Sequence, residues 1–374
     1  MARIVTVYAS ARRPFVPTDM SYIRWLKMSE ALAAMGHTVD IATCEPGRWR
    51  RFVRVPMGPR LRRVALGRVR WDRYDMVKTL FHQGFETLET FGGARHPFIV
   101  SKLGSVVGPE DTPAVYFHGE VRQRLFETQQ RIAVASRYVT VLTEPSRRRW
   151  QECFGDRGNV LLVPGAADAR LPRPGPDPYE RDGWRRCLFA GNIYSLRAQP
   201  AANQRLTASL NALGRRLLDH RIRVYFLGGG DTTGLDANAV RSVGAVAHER
   251  AWDWMRAADV GLVLALGAAP NENESTKIYH YLRVGLPVVC ESGFPNERLV
   301  TDLAMGEVVA NGDVDGMAAA VARVAGAAWD RDAATAHVLA HHTWDARAAT
   351  YAPVIARACA TGSRASAHQP HAER

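Results

Sequence analysis

Along nearly the whole chain, short β-branched or aliphatic runs alternate with longer stretches whose apolar residues recur every three or four positions. The runs at 4–8, 38–43, 74–79, 98–101, 114–117, 138–142 and 160–163 have the length and composition of strands, and 22–35 and 121–135 between them have helical spacing. A second series follows, with strands at 187–190, 223–227, 240–243, 260–266, 287–290 and 307–310. Its helices are expected at 201–218, 251–257, 276–284 and 314–324. Strands separated by helices give βαβ units, so the fold class is α/β. Each series is expected to form a Rossmann-like, doubly wound parallel sheet covered on both faces.

The alternation breaks once. Pro172, Pro174, Gly175, Pro176 and Pro178 support neither a helix nor an interior strand. With 374 residues, two domains are expected. They are an N-terminal domain over 1–165, a linker over 166–183 and a C-terminal domain over 184–343. A last helical stretch at 344–360 is expected to pack back on the first domain, and the polar tail 361–374 to be disordered.

Composition narrows the class. No apolar run approaches the ~20 residues that span a bilayer, and the apolar start is too short for a signal peptide; a cytoplasmic protein is expected. The five cysteines, Cys44, Cys153, Cys187, Cys290 and Cys359, contain no C-x-x-C pair. They read as free thiols rather than as a disulfide framework or a zinc site. The net charge of +12 is uneven. Arg48, Arg50, Arg51, Arg54, Arg60, Arg62, Arg63, Arg68, Arg70 and Arg73 face one acid in that stretch, Asp72. Such a stretch is either a solvated basic loop or a peripheral contact for an anionic membrane face or a phosphorylated acceptor. No helix-turn-helix, zinc-finger or RNP-type motif accompanies it, so nucleic acid is not expected as a partner.

In doubly wound sheets, ligands bind beyond the carboxyl ends of strands, and three such places carry chemistry. Gly191 and Asn192 follow a strand, with Arg197 six residues past the glycine; the loop is either a phosphate clamp or a surface turn. Gly228, Gly229 and Gly230 follow another strand but lack the G-x-G-x-x-G spacing. They are a plain turn or a ligand contact. The third place is richest. After the strand at 260–266 come Glu272, Glu274, Ser275, Thr276 and Lys277, then a helix stopped by Gly285. Ser275 or Thr276 fits an N-cap, and a helix starting there points its N–H groups at whatever binds. Lys277 adds charge for a diphosphate, and the two glutamates can accept from sugar hydroxyls. The plain alternative is an ordinary capped helix.

The stretch NESTKIYHYLRVGLPVVCE resembles the donor-binding segment of the family-4-like, retaining GT-B glycosyltransferases (glycosyl transferases group 1). Four further stretches agree in order: Gly36-His37-Thr38-Val39, Val163-Pro164-Gly165-Ala166-Ala167-Asp168, Gly191 to Arg197, and Gly244-Ala245-Val246 followed by Ala257-Ala258-Asp259-Val260. The resemblance covers about residues 1–355. Three departures stand out. Counting from Glu272, the family's second glutamate falls on His280; Asn192 stands where its phosphate loop has arginine; and Ala11-Arg12-Arg13-Pro14-Phe15 replaces its N-terminal glycine-rich loop.

What the resemblance implies is a GT-B enzyme that transfers a sugar with retention and without a bound metal. The co-substrate is a nucleotide sugar, a UDP- or GDP-sugar, and no other cofactor is expected. Arg197, Lys277 and Glu272 are the expected catalytic residues. Gly191, Asn192, Gly228, Gly229, Glu274, Ser275, Thr276 and His280 are expected around the donor, His280 facing its ribose. Asp19, Arg24, Lys102 and His118 are expected on the acceptor side, with a lipid-linked or polysaccharide acceptor. The basic stretch would then touch the inner membrane face. A sugar-nucleotide epimerase of the same fold, or a non-catalytic nucleotide-sugar-binding partner, are the alternatives.

Overall fold

The computed structural model describes residues 1–8, 20–43, 54–112, 117–197, 199–267, 269 and 271–367. Two compact units emerge. One gathers Met1–Asp111, Phe117–Pro164 and Trp344–Arg374, and the other is built around Gly165–Thr343.

In the first unit the strands are β1 (Arg3–Val7), β2 (Thr38–Thr43), β3 (Arg54–Pro56), β4 (Leu61–Ala65), β5 (Met76–Leu80), β6 (Ile99–Lys102), β7 (Tyr138–Val141) and β8 (Val160–Leu162). The helices between them are α1 (Met20–Ala34), α2 (Phe81–Thr90), α3 (Gly119–Ala135) and α4 (Glu144–Phe154). The sheet order is β3-β4-β2-β1-β5-β6-β7-β8, so the chain reverses its direction of travel between β1 and β5. All neighbours are parallel except the edge pair β3 and β4. That edge pair, absent from the expected strands, lies within the basic stretch. Leu61 and Val64 bury their side chains, and Arg62 Nε donates to the buried Asp40 carboxylate at 2.7 Å, so arginine-rich chain becomes a strand pair. Asp40 also accepts from the Tyr74 hydroxyl at 2.7 Å. Arg60, Arg68 and Arg73 remain exposed. The expected strand at 114–117 and the residues of the basic stretch before Arg54 fall largely outside the described residues.

The second unit has β9 (Arg185–Ala190), α5 (Pro200–Leu218), β10 (Ile222–Leu227), β11 (Val240–Gly244), α6 (His248–Ala257), β12 (Val260–Val263) and α7 (Thr276–Arg283). It continues with β13 (Val288–Glu291), α8 (Arg298–Asp302), β14 (Gly306–Val309), α9 (Val314–Gly326) and α10 (Arg331–His341). Its sheet is parallel throughout in the order β11-β10-β9-β12-β13-β14, with the reversal between β9 and β12. Alternate strand residues serve opposite faces. Cys187 and Phe189 join Leu206, Leu210, Val321 and Val324 of α5 and α9, whereas Leu188 joins Trp252, Tyr281 and Val338 of α6, α7 and α10.

The proline-rich stretch expected as a linker is packed into the second unit. Gly175 N–H donates to Asp253 at 2.8 Å, Arg256 donates to Pro172 O at 2.8 Å, and the Tyr179 ring is buried with its hydroxyl on Trp254 O. Prolines that exclude regular structure are compatible with a packed extended segment once side chains from α6 satisfy its backbone. After Thr343 the chain forms α11 (Trp344–Ala349), which packs against α1, and α12 (Ala352–Ala367). The helix therefore runs on past Thr361, where a disordered tail was expected; alanine-rich sequence sustains it.

Candidate active site

The reversal of strand order in the second unit opens a crevice between the carboxyl ends of β9 and β12, where doubly wound sheets place ligands. The two strands pair only through Val260 with Cys187 and Gly261 with Leu188. Beyond that point the buried Tyr281 fills the gap. Its hydroxyl accepts from Ala190 N–H at 2.8 Å and donates to Leu188 O at 3.1 Å, and burial raises its pKa.

Two loops emerge at this crevice, and they are the first and third places singled out in the sequence. Lys277, in the first turn of α7, lays its side chain across the end of β9. Its ammonium stands 4.9 Å from the centre of the Phe189 ring. A Cβ on Gly191 would lie 2.8 Å from Lys277 Cε and 3.3 Å from Nζ. Gly191 is thus the residue that lets a cation reach the strand end. Arg197 is exposed farther along the same loop, whose Leu196 N–H donates to the Asp231 carboxylate at 3.0 Å.

The glycine triplet has a structural cause. Ile193 N–H donates to Gly229 O at 3.0 Å and Asp231 N–H to Ile193 O at 3.2 Å, which continues the β9–β10 pairing past the strand ends. A Cβ on Gly228 would fall 1.5 Å from Gly191 O, and one on Gly230 1.9 Å from Ile193 O, at φ of +155° and +112°. Only glycine permits that approach. Gly229 is different: a Cβ there meets nothing closer than 3.7 Å, one of those neighbours being Asn192 Oδ1. Asn192 itself is exposed.

The start of α7 is a clasp. Ser275 occupies the N-cap position without a capping bond from its hydroxyl, and its peptide is held instead by Asn296, at 2.9 Å to both N–H and C=O. Glu274 is buried; one carboxylate oxygen accepts from Gly165 N–H and the other from the Tyr279 hydroxyl at 2.7 Å. Thr276, His280 and Arg283 share one helix face. His280 Nε2 is 3.2 Å from Ala166 O, while Arg283 donates to Asp168 O and Ala169 O at 2.8 Å each. Asp168 closes the clasp through a buried contact with His248 at 2.9 Å. The turn at 165–169 is therefore gripped by α7 from Glu274 to Arg283. Of the two acids in the loop, Glu274 is engaged by this clasp and Glu272 is half-buried.

Sequence reasoning missed a second brace. Glu291, buried at the carboxyl end of β13, accepts from Ala265 N–H at 2.5 Å and from Gly312 N–H at 2.9 Å. Arg205 bonds Asn311 and Ala265 O, and Asn311 donates to Gly267 O at 2.9 Å. These bonds hold the loop after β12 from three sides. The one signal in the sequence is an acid ending an apolar strand, in Val288-Val289-Cys290-Glu291.

In the first unit, Arg24 and Lys102 line one small cavity; Lys102 is buried and donates to Val163 O at 2.9 Å. His118 is elsewhere, exposed at the start of α3 with its imidazole 3.9 Å from Asp111. Asp19 and the Ala11–Phe15 loop lie outside the described residues. Among the described residues, no group of three or more His, Cys, Asp or Glu is placed to hold a metal ion, and no helix is long and apolar enough to cross a membrane.

The sequence profile of the glycosyl transferases group 1 family matches residues 185–326. No curated protein matches the chain in sequence. Solved structures do match in fold. Sucrose-phosphate synthase from Thermosynechococcus elongatus is 14% identical, with a TM-score of 0.68 over 96% of this chain and 100% of its own. AviGT4, a glycosyltransferase involved in avilamycin A biosynthesis, is 18% identical, with a TM-score of 0.65 over 96% and 99%. HepE of Anabaena, solved in complex with UDP-glucose, is 14% identical, with a TM-score of 0.63 over 96% and 100%. The fold class is the GT-B class expected from the sequence, with two doubly wound α/β sheets.

Proposed function

We propose, from the match of residues 185–326 to the glycosyl transferases group 1 family, that this chain moves a sugar from a UDP- or GDP-sugar to an acceptor hydroxyl. The reaction proceeds with retention and without a metal ion. The observation that carries this reading is Lys277 reaching Gly191 at the strand-order reversal of the second unit. Departure of a nucleoside diphosphate develops negative charge on its phosphates. Fixed cations and helix N–H groups aimed at that charge lower the barrier without reorganisation. Lys277 and Arg197 are the cations, and the first amides of α7 are the neutral donors.

Glu272 accepts from hydroxyls of the transferred sugar, and Glu274 positions the loop through Gly165 and Tyr279. His280 faces the ribose in the tautomer that its bond to Ala166 O selects. Gly229 and Asn192 border the donor where glycine is not demanded by packing. The acceptor, lipid-linked or polysaccharide, binds the first unit. Exposed Arg60, Arg68 and Arg73 support peripheral contact with an anionic membrane face on the cytoplasmic side.

The test is turnover of a panel of UDP- and GDP-sugars by the full chain, with product analysis in the presence and absence of acceptor sugars. Lys277→Ala is expected to lower kcat/KM about 10²–10³-fold. Arg197→Ala, on an exposed loop, is expected to lower it roughly tenfold through a weaker grip on the diphosphate. Unchanged rates in both variants would remove the phosphate assignment, and an epimerised donor formed without acceptor would replace transfer with epimerisation.

A further inference from the structure

In the second unit one side chain stands between the diverging ends of β9 and β12. The strands pair at Cys187 with Val260 and at Leu188 with Gly261, and in a parallel pair the next main-chain bonds would follow at even spacing. The Tyr281 hydroxyl takes their place. It accepts from Ala190 N–H at 2.8 Å and lies 3.1 Å from Leu188 O and 3.4 Å from Leu262 O. Room for the ring comes from Gly261, where a Cβ would fall 2.5 Å from the nearest ring carbon. A glycine inside a strand marks such a close approach. The ring is fully buried, and the hydroxyl proton is committed to main-chain carbonyls.

Tyr281 and Lys277 are four residues apart on α7 and share a face. Together they engage four consecutive residues at the end of β9. Tyr281 holds Leu188 and Ala190 by their main chain. Lys277 lies over the Phe189 ring and against Gly191. One helix thus carries both the cation and the group that fixes the strand end at which the cation arrives.

We infer that Tyr281 is a positioning residue for the diphosphate contact, its hydroxyl setting where Gly191 lies beneath Lys277. The inference rests on the reading of Lys277 as a diphosphate-binding cation. A ring without the hydroxyl would fill the same space. It would leave the buried Ala190 N–H without its partner, and the strand end free to move away from the lysine.

Titration calorimetry with inorganic pyrophosphate and with UDP tests it on wild type, Lys277→Ala, Tyr281→Phe and the double variant, each as the full chain. Lys277→Ala is expected to weaken binding about tenfold, and Tyr281→Phe several-fold. The double variant should bind no more weakly than Lys277→Ala alone, because the hydroxyl acts through the lysine. A tyrosine that served only the core would not show that dependence. Unaltered affinity in Tyr281→Phe, or losses that multiply in the double variant, overturns the positioning role and leaves the donor reading in place. Unaltered affinity in Lys277→Ala, or no binding by wild type, removes the donor reading and the positioning role with it. A second readout covers the case in which Tyr281→Phe does not fold. Hydrogen exchange of the Ala190 amide should slow several-fold when pyrophosphate saturates the wild type, and should not do so in Lys277→Ala at equal saturation. An exchange rate in wild type that ignores the ligand overturns the proposal as well.

Discussion

Each sheet reverses its strand order once, and the two reversals are furnished differently. In the second unit the chemistry is local in sequence: Gly191 to Arg197 on one loop, Glu272 to Arg283 on another, joined where Lys277 reaches Gly191. The lysine is half-buried, over the Phe189 ring and beside Gly191. In the first unit the cations come from three separate elements, α1, β5 and β6, and Lys78 is fully buried beneath the Tyr351 ring. The difference teaches that a strand-end site can be built by loop composition or by tertiary convergence. The first kind leaves its cation partly in contact with solvent. The second takes its lysine out of water, and that desolvation lowers its pKa.

The sharpest way to break that contrast is through pH. The unfolded chain holds the Lys78 proton up to about 10.5, whereas the folded protein releases it near 7. Between those values the unfolded state binds more protons, so stability rises with pH across this window. Below about 7 both states are charged, and the fold carries the full desolvation cost. Lys78→Met removes that cost and is expected to stabilise the protein at pH 6 by about 4 kcal/mol. The gain should shrink towards zero near pH 10. Urea unfolding across the pH range measures it. Parallel slopes for wild type and variant would show that burial does not shift the Lys78 proton.

Gly228→Ala comes next, with an expected loss of about 3 kcal/mol, because its Cβ would overlap Gly191 O. Gly229→Ala should cost well under 1 kcal/mol, as nothing crowds a Cβ there. Thermal unfolding of the pair tests whether the triplet is a backbone device or a ligand surface. The same pair shows what the sequence made legible. Three glycines after a strand announce a special backbone, yet which of them is required depends on the approach of Ile193 and Gly191 from another strand. Period and punctuation revealed both sheets because burial on two faces dictates apolar runs, and β4 stayed hidden because its arginines are neutralised from a distance, Arg62 by Asp40. Lys78 stayed hidden for the converse reason. Inside Met76-Val77-Lys78-Thr79-Leu80 a lysine reads as an interruption of a strand, and only the convergence of α1, β6 and α11 makes it the wall of a cavity. Arg24 and Lys102 were expected on the acceptor side only through the family resemblance, and their common cavity was not legible.

The smallest effect separates the two glutamates of the α7 loop. Glu274 accepts from Gly165 N–H and from the Tyr279 hydroxyl, so a glutamine can keep the first bond and offer its amide N–H to the tyrosine oxygen. Glu274→Gln is therefore expected to cost about 1 kcal/mol of stability and to leave the donor KM nearly unchanged. Glu272→Gln should show a loss of turnover and a raised donor KM, since a carboxylate accepting from sugar hydroxyls holds them more tightly than an amide. Chemical denaturation and steady-state kinetics on both variants decide the matter. If Glu274→Gln lost turnover at full stability, the clasp on Gly165 would be incidental. The second unit would then use a buried acid for chemistry, and the distinction between a loop-built and a convergent site would fall with it.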